Sequence, residues 1–207
     1  MPPLHLLLIG NGEEISPRLL QTLARQADYV LAADGGADKA LRADVIPNGV
    51  IGDLDSVSVR TQKMLADKII HVSTQENTDL EKALRWAVKH HFTHVTLVGF
   101  VGDRWDFSVG NLLALATWAR KLQITLAGTN WRMYPLIKSA TFTCKPHKRT
   151  SLIPLKICTQ VSLTGLKFPL TNARLTPGTT RTLSNQTQST SFSVSFVRGM
   201  LLVYVEV

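Results

Sequence analysis

The chain has 207 residues, of which 44% are hydrophobic and 18% are charged, and its formal net charge at pH 7 is +8. This composition is typical of a folded globular domain and argues against intrinsic disorder. No apolar run approaches the roughly 18 residues of a membrane-spanning helix, so we expect no membrane partner. Cys144 and Cys158 show no metal-binding spacing, which predicts two reduced thiols in a cytoplasmic protein.

The net charge is divided unequally along the chain. Residues 1–106 contain 11 Lys and Arg against 14 acidic residues, a net of −3, whereas residues 107–207 contain 12 Lys and Arg against one acidic residue, a net of +11. This asymmetry predicts two regions with different roles. A basic region could bind nucleic acid, but these basic residues are scattered rather than clustered, so we expect no specific nucleic-acid partner.

The first region alternates short apolar runs with amphipathic segments. The apolar runs predict strands at residues 5–9, 29–33, 49–51, 69–72 and 95–98. Helical periodicity and capping residues predict helices at residues 17–27, 38–42, 59–66 and 111–121, and another that opens at the capping box of Thr78 and Glu81. Alternation of this kind predicts an α/β domain over residues 1–130, with a largely parallel sheet and helices on both faces.

From about residue 131 the helical periodicity disappears, and short alternating segments are separated by Gly and Pro turns. Residues 192–197 and 201–207 predict a terminal hairpin that turns at Arg198 and Gly199. We therefore expect an all-β sandwich over residues 131–207.

Four polar loops follow predicted strands of the first region, at residues 34–36, 53–56, 77–79 and 102–106. In open α/β sheets, ligands bind beyond the carboxyl ends of the strands. Asp53 and Asp55 are two positions apart, so an extended backbone would direct both carboxylates to one side, where their repulsion favours a bound cation. Mg²⁺ takes oxygen ligands shared with phosphates, and Arg104 offers a fork of donors for phosphate oxygens. The alternative is a solvated turn that ends in a helix cap.

Two common phosphate-binding motifs are excluded. The chain has no P-loop pattern, and Gly10-Asn11-Gly12 lacks the third glycine of the dinucleotide-binding fingerprint because position 15 is isoleucine. If the polar loops bind phosphate, they do so without either motif.

The ordered set of motifs resembles the thiamine pyrophosphokinase family, most closely its bacterial form. The resemblance rests on residues 34–37, 51–56, 78–84, 102–106, 164–170 and 183–185, and covers nearly the whole chain. It implies transfer of a diphosphate from ATP to the hydroxyethyl group of thiamine, giving thiamine diphosphate and AMP. It also implies Mg²⁺ as cofactor and a homodimer whose thiamine pockets are completed by the partner chain.

The resemblance assigns roles to the candidate site residues. The implied Mg²⁺ ligands are Asp53, Asp55 and Asp79. The implied nucleotide-binding residues are Asp34, Gly35, Gly36, Thr78 and Arg104. Arg104 would also neutralise charge on the transferring diphosphate, and Asp106 would face thiamine. In the β domain, Ser184 and Asn185 would contact thiamine, and one of the aspartates would take the hydroxyl proton.

This chain differs from the usual family pattern at three positions. It has Asn48, Phe107 and Gln186 where the family commonly has aspartate, histidine and glutamate. Two alternative functions stay open at the level of sequence: a pyrophosphokinase acting on another hydroxymethyl heterocycle such as a pterin, and a homologue that binds thiamine or nucleotide without catalysis.

Overall fold

The structure is a computed structural model that describes residues 4–74 and 76–207. The chain divides into two compact units, Met1–Thr129 and Asn130–Val207. None of the helices in the described part of the chain is long and apolar enough to cross a membrane.

The first unit is an open α/β sheet. Its strands are β1 (His5–Ile9), β2 (Tyr29–Ala33), β3 (Gly49–Gly52), β4 (Ile69–His71), β5 (His94–Val98) and β6 (Gln123–Ala127). Its α-helices are α1 (Pro17–Gln26), α2 (Gly36–Arg42), α3 (Val59–Met64), α4 (Asp79–Lys89) and α5 (Trp105–Trp118). The strands lie in the order β4-β3-β2-β1-β5-β6, and every neighbouring pair is parallel. The predicted parallel sheet is therefore confirmed.

Helices cover both faces of this sheet. Leu20 of α1 packs in one apolar cluster with Leu7 and Val30, on one face of the sheet. Ala32 is two residues after Val30 on β2, so its side chain lies on the same face. Tyr29 points to the opposite face, where its ring lies 5.3 Å from that of Trp86 on α4. The strand order reverses at β1, which lies between β2 and β5, and such a switch point opens a crevice at the carboxyl ends of the strands.

Two elements of the first unit differ from the sequence prediction. Helix α5 begins at Trp105 rather than at residue 111, so part of the predicted polar loop belongs to its first turn. Its N-cap residue, Arg104, makes no capping side-chain bond, and exposed Val109 blurs the apolar periodicity. Strand β6 was not predicted; it pairs with β5, a contact that local sequence does not reveal.

The second unit is antiparallel throughout. Its strands are β7 (Trp131–Leu136), β8 (Ala140–Thr143), β9 (Arg149–Thr164), β10 (Leu170–Leu175), β11 (Asn185–Gln186), β12 (Ser191–Ser195) and β13 (Arg198–Glu206). The long strand β9 pairs with β13 along its first part and with β10 and β12 along its second part. It thus belongs to two layers, and Leu152, Leu163, Phe192 and Val203 pack between them.

The predicted terminal hairpin is wrong. Strands β12 and β13 do not pair with each other in the described structure; both pair with β9 instead. The chain crosses β9 between them, where the backbone N–H of Val197 donates to the carbonyl of Thr159 at 3.1 Å. Because these partners are distant in sequence, the alternating pattern and the short connection alone indicated a local turn.

Candidate active site

A cavity of about 710 Å³ lies in the first unit, at the carboxyl ends of β1, β2, β3 and β5. Loops that follow these strands line it, together with the first turn of α4. Of the residues singled out in the sequence, the lining includes Asp34, Asp53, Asp55, Thr78, Asp79 and Arg104. Side chains from four separate segments are therefore brought to one crevice.

Three carboxylates meet on one side of this cavity. Asp34, Asp53 and Asp55 each present a carboxylate oxygen, and these oxygens lie within 4.8 Å of one another. Strand β3 ends at Gly52, where an added Cβ would lie 3.3 Å from the Cβ of Asp34, so the backbones of the two loops approach closely. The third carboxylate beside Asp53 and Asp55 is therefore that of Asp34, whereas the family resemblance implies Asp79 as the third.

Asp34 is the most buried member of the group, with 6% of its surface exposed. Its Oδ1 is buried and has no hydrogen-bond partner within residues 4–74 and 76–207. Burial raises the pKa of this carboxyl group, and the charges of Asp79 and Asp55 raise it further. An unpaired buried oxygen is costly, so a cation bound at this atom would stabilise it.

Asp79 lies at the first position of α4 and is paired with a lysine. Its Oδ1 is 3.0 Å from Nζ of Lys82, and the same ammonium lies 3.8 Å from Oδ2 of Asp53. Lys82 lies within residues 78–84, on which the family resemblance partly rests, but no role was predicted for it from the sequence. The spacing of three between Asp79 and Lys82 is a standard helical ion-pair spacing and was the available signal.

Thr78 and Glu81 form the predicted capping box in front of these residues. The Thr78 hydroxyl accepts from the Glu81 N–H, and the Glu81 carboxylate accepts from the Thr78 N–H, both at 3.4 Å. The capping box fixes the first turn of α4 and thereby the position of Asp79.

The two glycines after Asp34 have a packing role in this structure. An added Cβ at Gly35 would lie 2.4 Å from Nδ2 of Asn11, and one at Gly36 would lie 2.2 Å from the carbonyl oxygen of Ile9. Neither glycine is among the described residues that line the cavity. They let α2 begin directly against the loop that follows β1, which places Asp34 in the wall of the cavity.

Arg104 lines the cavity at the start of α5. Its Nη2 donates to Oδ2 of Asp106 at 2.5 Å, and its Nε donates to Oδ1 at 3.2 Å. These charge-assisted bonds hold the pKa of Asp106 below its usual range. Phe107 also lines the cavity, whereas Asp106 is not among the described lining residues.

The second unit has a smaller cavity, of about 280 Å³, at the predicted Ser-Asn pair. Its lining residues are His147, Arg149, Lys167, Phe168, Ser184, Asn185, Gln186 and Glu206. The Asn185 amide is buried: Oδ1 accepts from the Phe168 N–H at 3.0 Å, and Nδ2 donates to the Phe168 carbonyl at 2.7 Å. Ser184 is exposed beside it. Asn185 therefore shapes the wall of this cavity by holding Phe168.

Comparisons with known proteins agree on one family. Family models match at residues 20–126 (Thiamin pyrophosphokinase, catalytic domain) and at residues 141–201 (Thiamin pyrophosphokinase, vitamin B1 binding domain). The thiamine pyrophosphokinase of Bacillus subtilis (strain 168) is 27% identical over 181 residues, which cover 84% of this chain and 85% of that protein.

Solved structures show the same two-part fold. Thiamin pyrophosphokinase from Geobacillus thermodenitrificans is 25% identical with a TM-score of 0.87, covering 99% of this chain and 98% of that one. Thiamin pyrophosphokinase from Candida albicans is 20% identical with a TM-score of 0.85, covering 99% and 89%. The likeness extends along nearly the whole length of both units.

Proposed function

The chain belongs to the thiamin pyrophosphokinase family, and from this premise we propose that it transfers a diphosphate group from ATP to thiamine. The products are thiamine diphosphate and AMP. The observation that carries the proposal is the group of Asp34, Asp53 and Asp55, whose oxygens lie within 4.8 Å in a cavity that also contains Arg104. Carboxylates and a guanidinium in one crevice suit a diphosphate with its metal ion.

The three carboxylates fit Mg²⁺ by their chemistry. All three residues offer oxygen ligands, and the buried Oδ1 of Asp34 has no partner among the described residues. We propose Asp34, Asp53 and Asp55 as its ligands, with a carboxylate oxygen of Asp79 as a further ligand. The bound ion would neutralise charge on the phosphate oxygens and orient them.

The residues of this chain would then position the reactants for an in-line displacement. The hydroxyethyl oxygen of thiamine forms a bond to the β-phosphorus of ATP, and the bond from this phosphorus to the oxygen bridging to the α-phosphate breaks. One of the aspartate carboxylates takes the hydroxyl proton. Arg104 binds the oxygens of the transferring group, and Lys82 adds positive charge near Asp53.

Asp106, Ser184 and Asn185 are proposed to form the thiamine side of the site. Asp106 has an exposed carboxylate, and its bidentate pair with Arg104 leaves the outer lone pairs of its oxygens for donors of the substrate. Ser184 offers an exposed hydroxyl, and Asn185 acts through the position of Phe168.

We also propose a homodimer with composite sites, as the family resemblance implies. Each site would combine the carboxylates of one chain with Ser184 of the partner subunit. Mixing an inactive Asp55→Asn chain with an inactive Ser184→Lys chain tests this, because a mixed dimer has one intact composite site and regains activity. No recovery, with exchange of subunits shown independently, contradicts the shared site.

The free thiols of Cys144 and Cys158 support a cytoplasmic location.

Incubation with ATP, Mg²⁺ and thiamine, followed by separation of the nucleotides, tests the reaction. We expect AMP and no ADP. Release of ADP would show a simple kinase, and turnover of a pterin alcohol without turnover of thiamine would support the alternative pyrophosphokinase. The matched family models and relatives favour thiamine.

A further inference from the structure

Phe107 lies directly beneath the guanidinium group of Arg104. The guanidinium carbon is 4.2 Å from the centre of the Phe107 ring. This distance is well within the range of an attractive cation–π contact, in which a cation sits over the negative face of the ring. Both side chains line the cavity that contains the carboxylates, so the contact is formed at the site itself.

Asp106 occupies one edge of the same guanidinium group. It accepts from Nε and from Nη2, and this bidentate pair uses two of the five N–H donors of an arginine. In the described part of the chain, no hydrogen bond is formed by Nη1 of Arg104. With one face on Phe107 and one edge on Asp106, the opposite edge of the fork is left with donors for a ligand.

Arg104 needs such support because its surroundings are open. Its side chain is 68% exposed, and it stands at the N-cap position of α5 without a capping bond. A long exposed side chain loses rotamer entropy when it binds a phosphate, and the loss is smaller if it is already held in place. The Phe107 ring restricts the guanidinium plane in a way that the Asp106 pair alone does not.

We propose that Phe107 is a positioning residue for diphosphate binding, which acts by holding the guanidinium of Arg104 so that its free edge faces the phosphates of ATP. The inference rests on the proposed function, because it assumes that a polyphosphate occupies the cavity. Phe107 contacts no reacting atom in this scheme. Its effect on ATP passes through Arg104.

A double-mutant cycle on the full-length chain separates this role from a merely structural one. The affinity for Mg·ATP is measured by calorimetry without thiamine, and kcat/KM for ATP is measured with thiamine. Phe107→Leu removes the ring and keeps an apolar side chain, whereas Phe107→Tyr keeps the ring. Trp105→Leu is the matched control, because Trp105 is 81% exposed, precedes Asp106 and is not among the described lining residues.

We expect Phe107→Leu to weaken Mg·ATP binding and to lower kcat/KM by roughly two- to fivefold, the strength of an exposed cation–π contact. Phe107→Tyr keeps the ring and should retain the wild-type affinity and kcat/KM, and Trp105→Leu should leave both unchanged. In an Arg104→Gln background, Phe107→Leu should have no further effect.

Three outcomes overturn the inference: an unchanged affinity in Phe107→Leu, an equal loss with and without Arg104, and no Mg·ATP binding by the wild-type chain. Failure of the proposed reaction is recognised separately, because a wild-type chain that binds Mg·ATP without releasing AMP contradicts the reaction alone. The binding cycle then still decides the role of Phe107.

Discussion

Lys82 holds its ammonium 3.0 Å from the carboxylate of Asp79, and its side chain is only 4% exposed. A buried ammonium is stable only beside compensating negative charge, and here the second compensating group is Asp53, at 3.8 Å. Lys82 therefore supplies positive charge to a cavity wall that is otherwise rich in carboxylates. It links the helix α4 to the loop after β3.

Replacing Lys82 by methionine should destabilise the metal-free protein. Asp79 and Asp53 would lose their contacts with the Lys82 ammonium, and we expect the free energy of unfolding to fall by about 1–3 kcal/mol. Added Mg²⁺ should raise the Tm of Lys82→Met more than that of the wild type, because it replaces the lost charge. Lys89→Met, at the exposed end of the same helix, is the control. Wild-type stability of Lys82→Met would contradict the pairing.

Neutralising Asp34 and neutralising Asp79 should change the stability of the metal-free protein in opposite directions. The pKa of Asp34 is raised by burial, so its ionised form costs folding free energy, and this cost grows as the pH rises through that pKa. Asp34→Asn should therefore raise the metal-free stability at pH 7, whereas Asp79→Asn should lower it by removing the nearer of the two carboxylates that compensate the buried Lys82 ammonium. Both substitutions should lower turnover, on the order of 100-fold or more. Urea unfolding at fixed pH compares them, and a large loss of stability in Asp34→Asn would contradict this account.

Asp38 should make stability depend on pH in the acid range. It accepts hydrogen bonds from the Ser58 N–H at 2.8 Å and from the Thr61 hydroxyl at 2.6 Å, which join α2 to the start of α3. Partial burial opposes ionisation, but the hydrogen bonds from Ser58 and Thr61 outweigh it and lower the pKa. The stabilisation is thus complete above the unfolded pKa, about 4, and is lost as the pH falls through the lower folded pKa.

The variant Asp38→Asn tests this dependence. We expect its free energy of unfolding at pH 7 to be about 1–3 kcal/mol below that of the wild type, and the difference to shrink below roughly pH 4. Asp67→Asn, at an exposed position, should show no such difference. A difference for Asp38→Asn that is constant from pH 7 to pH 3 would rule out the ionised hydrogen bonds as its cause.

Alanine substitutions at Ser184 and Asn185 should have different effects, the first on thiamine binding and the second on stability. Asn185→Ala removes three hydrogen bonds, two with the backbone of Phe168 and one from the Gln186 N–H, and should cost about 2–4 kcal/mol of stability. Ser184→Ala removes an exposed hydroxyl, so it should keep the Tm and raise KM for thiamine. Equal stability of the two variants, measured by thermal unfolding, would contradict the assigned division of roles.

The degree to which sequence predicts this structure depends on how local each feature is. Strand β3 and the capping box at Thr78 were predicted, because an apolar run before Gly52 and a Thr-Glu spacing of three carry their own structural reason. The terminal hairpin failed because β12 and β13 each find a partner in β9, far away in the chain. Local alternation does not specify such a partner.

The same limit applies to the candidate site. Asp53 and Asp55 were grouped from their spacing, but the approach of Asp34 follows from β2 lying beside β3, and the alternation of elements does not give strand order. Arg104 was singled out for its forked donors. Its contact with Phe107 depends on α5 beginning at Trp105, and the N-cap residue Arg104 is not a capping residue that would predict this start.

Transfer of label from ATP carrying ³²P at the β-phosphorus tests the central claim most directly. The chain is incubated with this ATP, Mg²⁺ and thiamine, and the labelled products are separated; Asp55→Asn serves as the inactive control. We expect the label to move into thiamine diphosphate and unlabelled AMP to appear in equal amount. Label that stays in the nucleotide as ADP, with an unlabelled thiamine monophosphate, would contradict it.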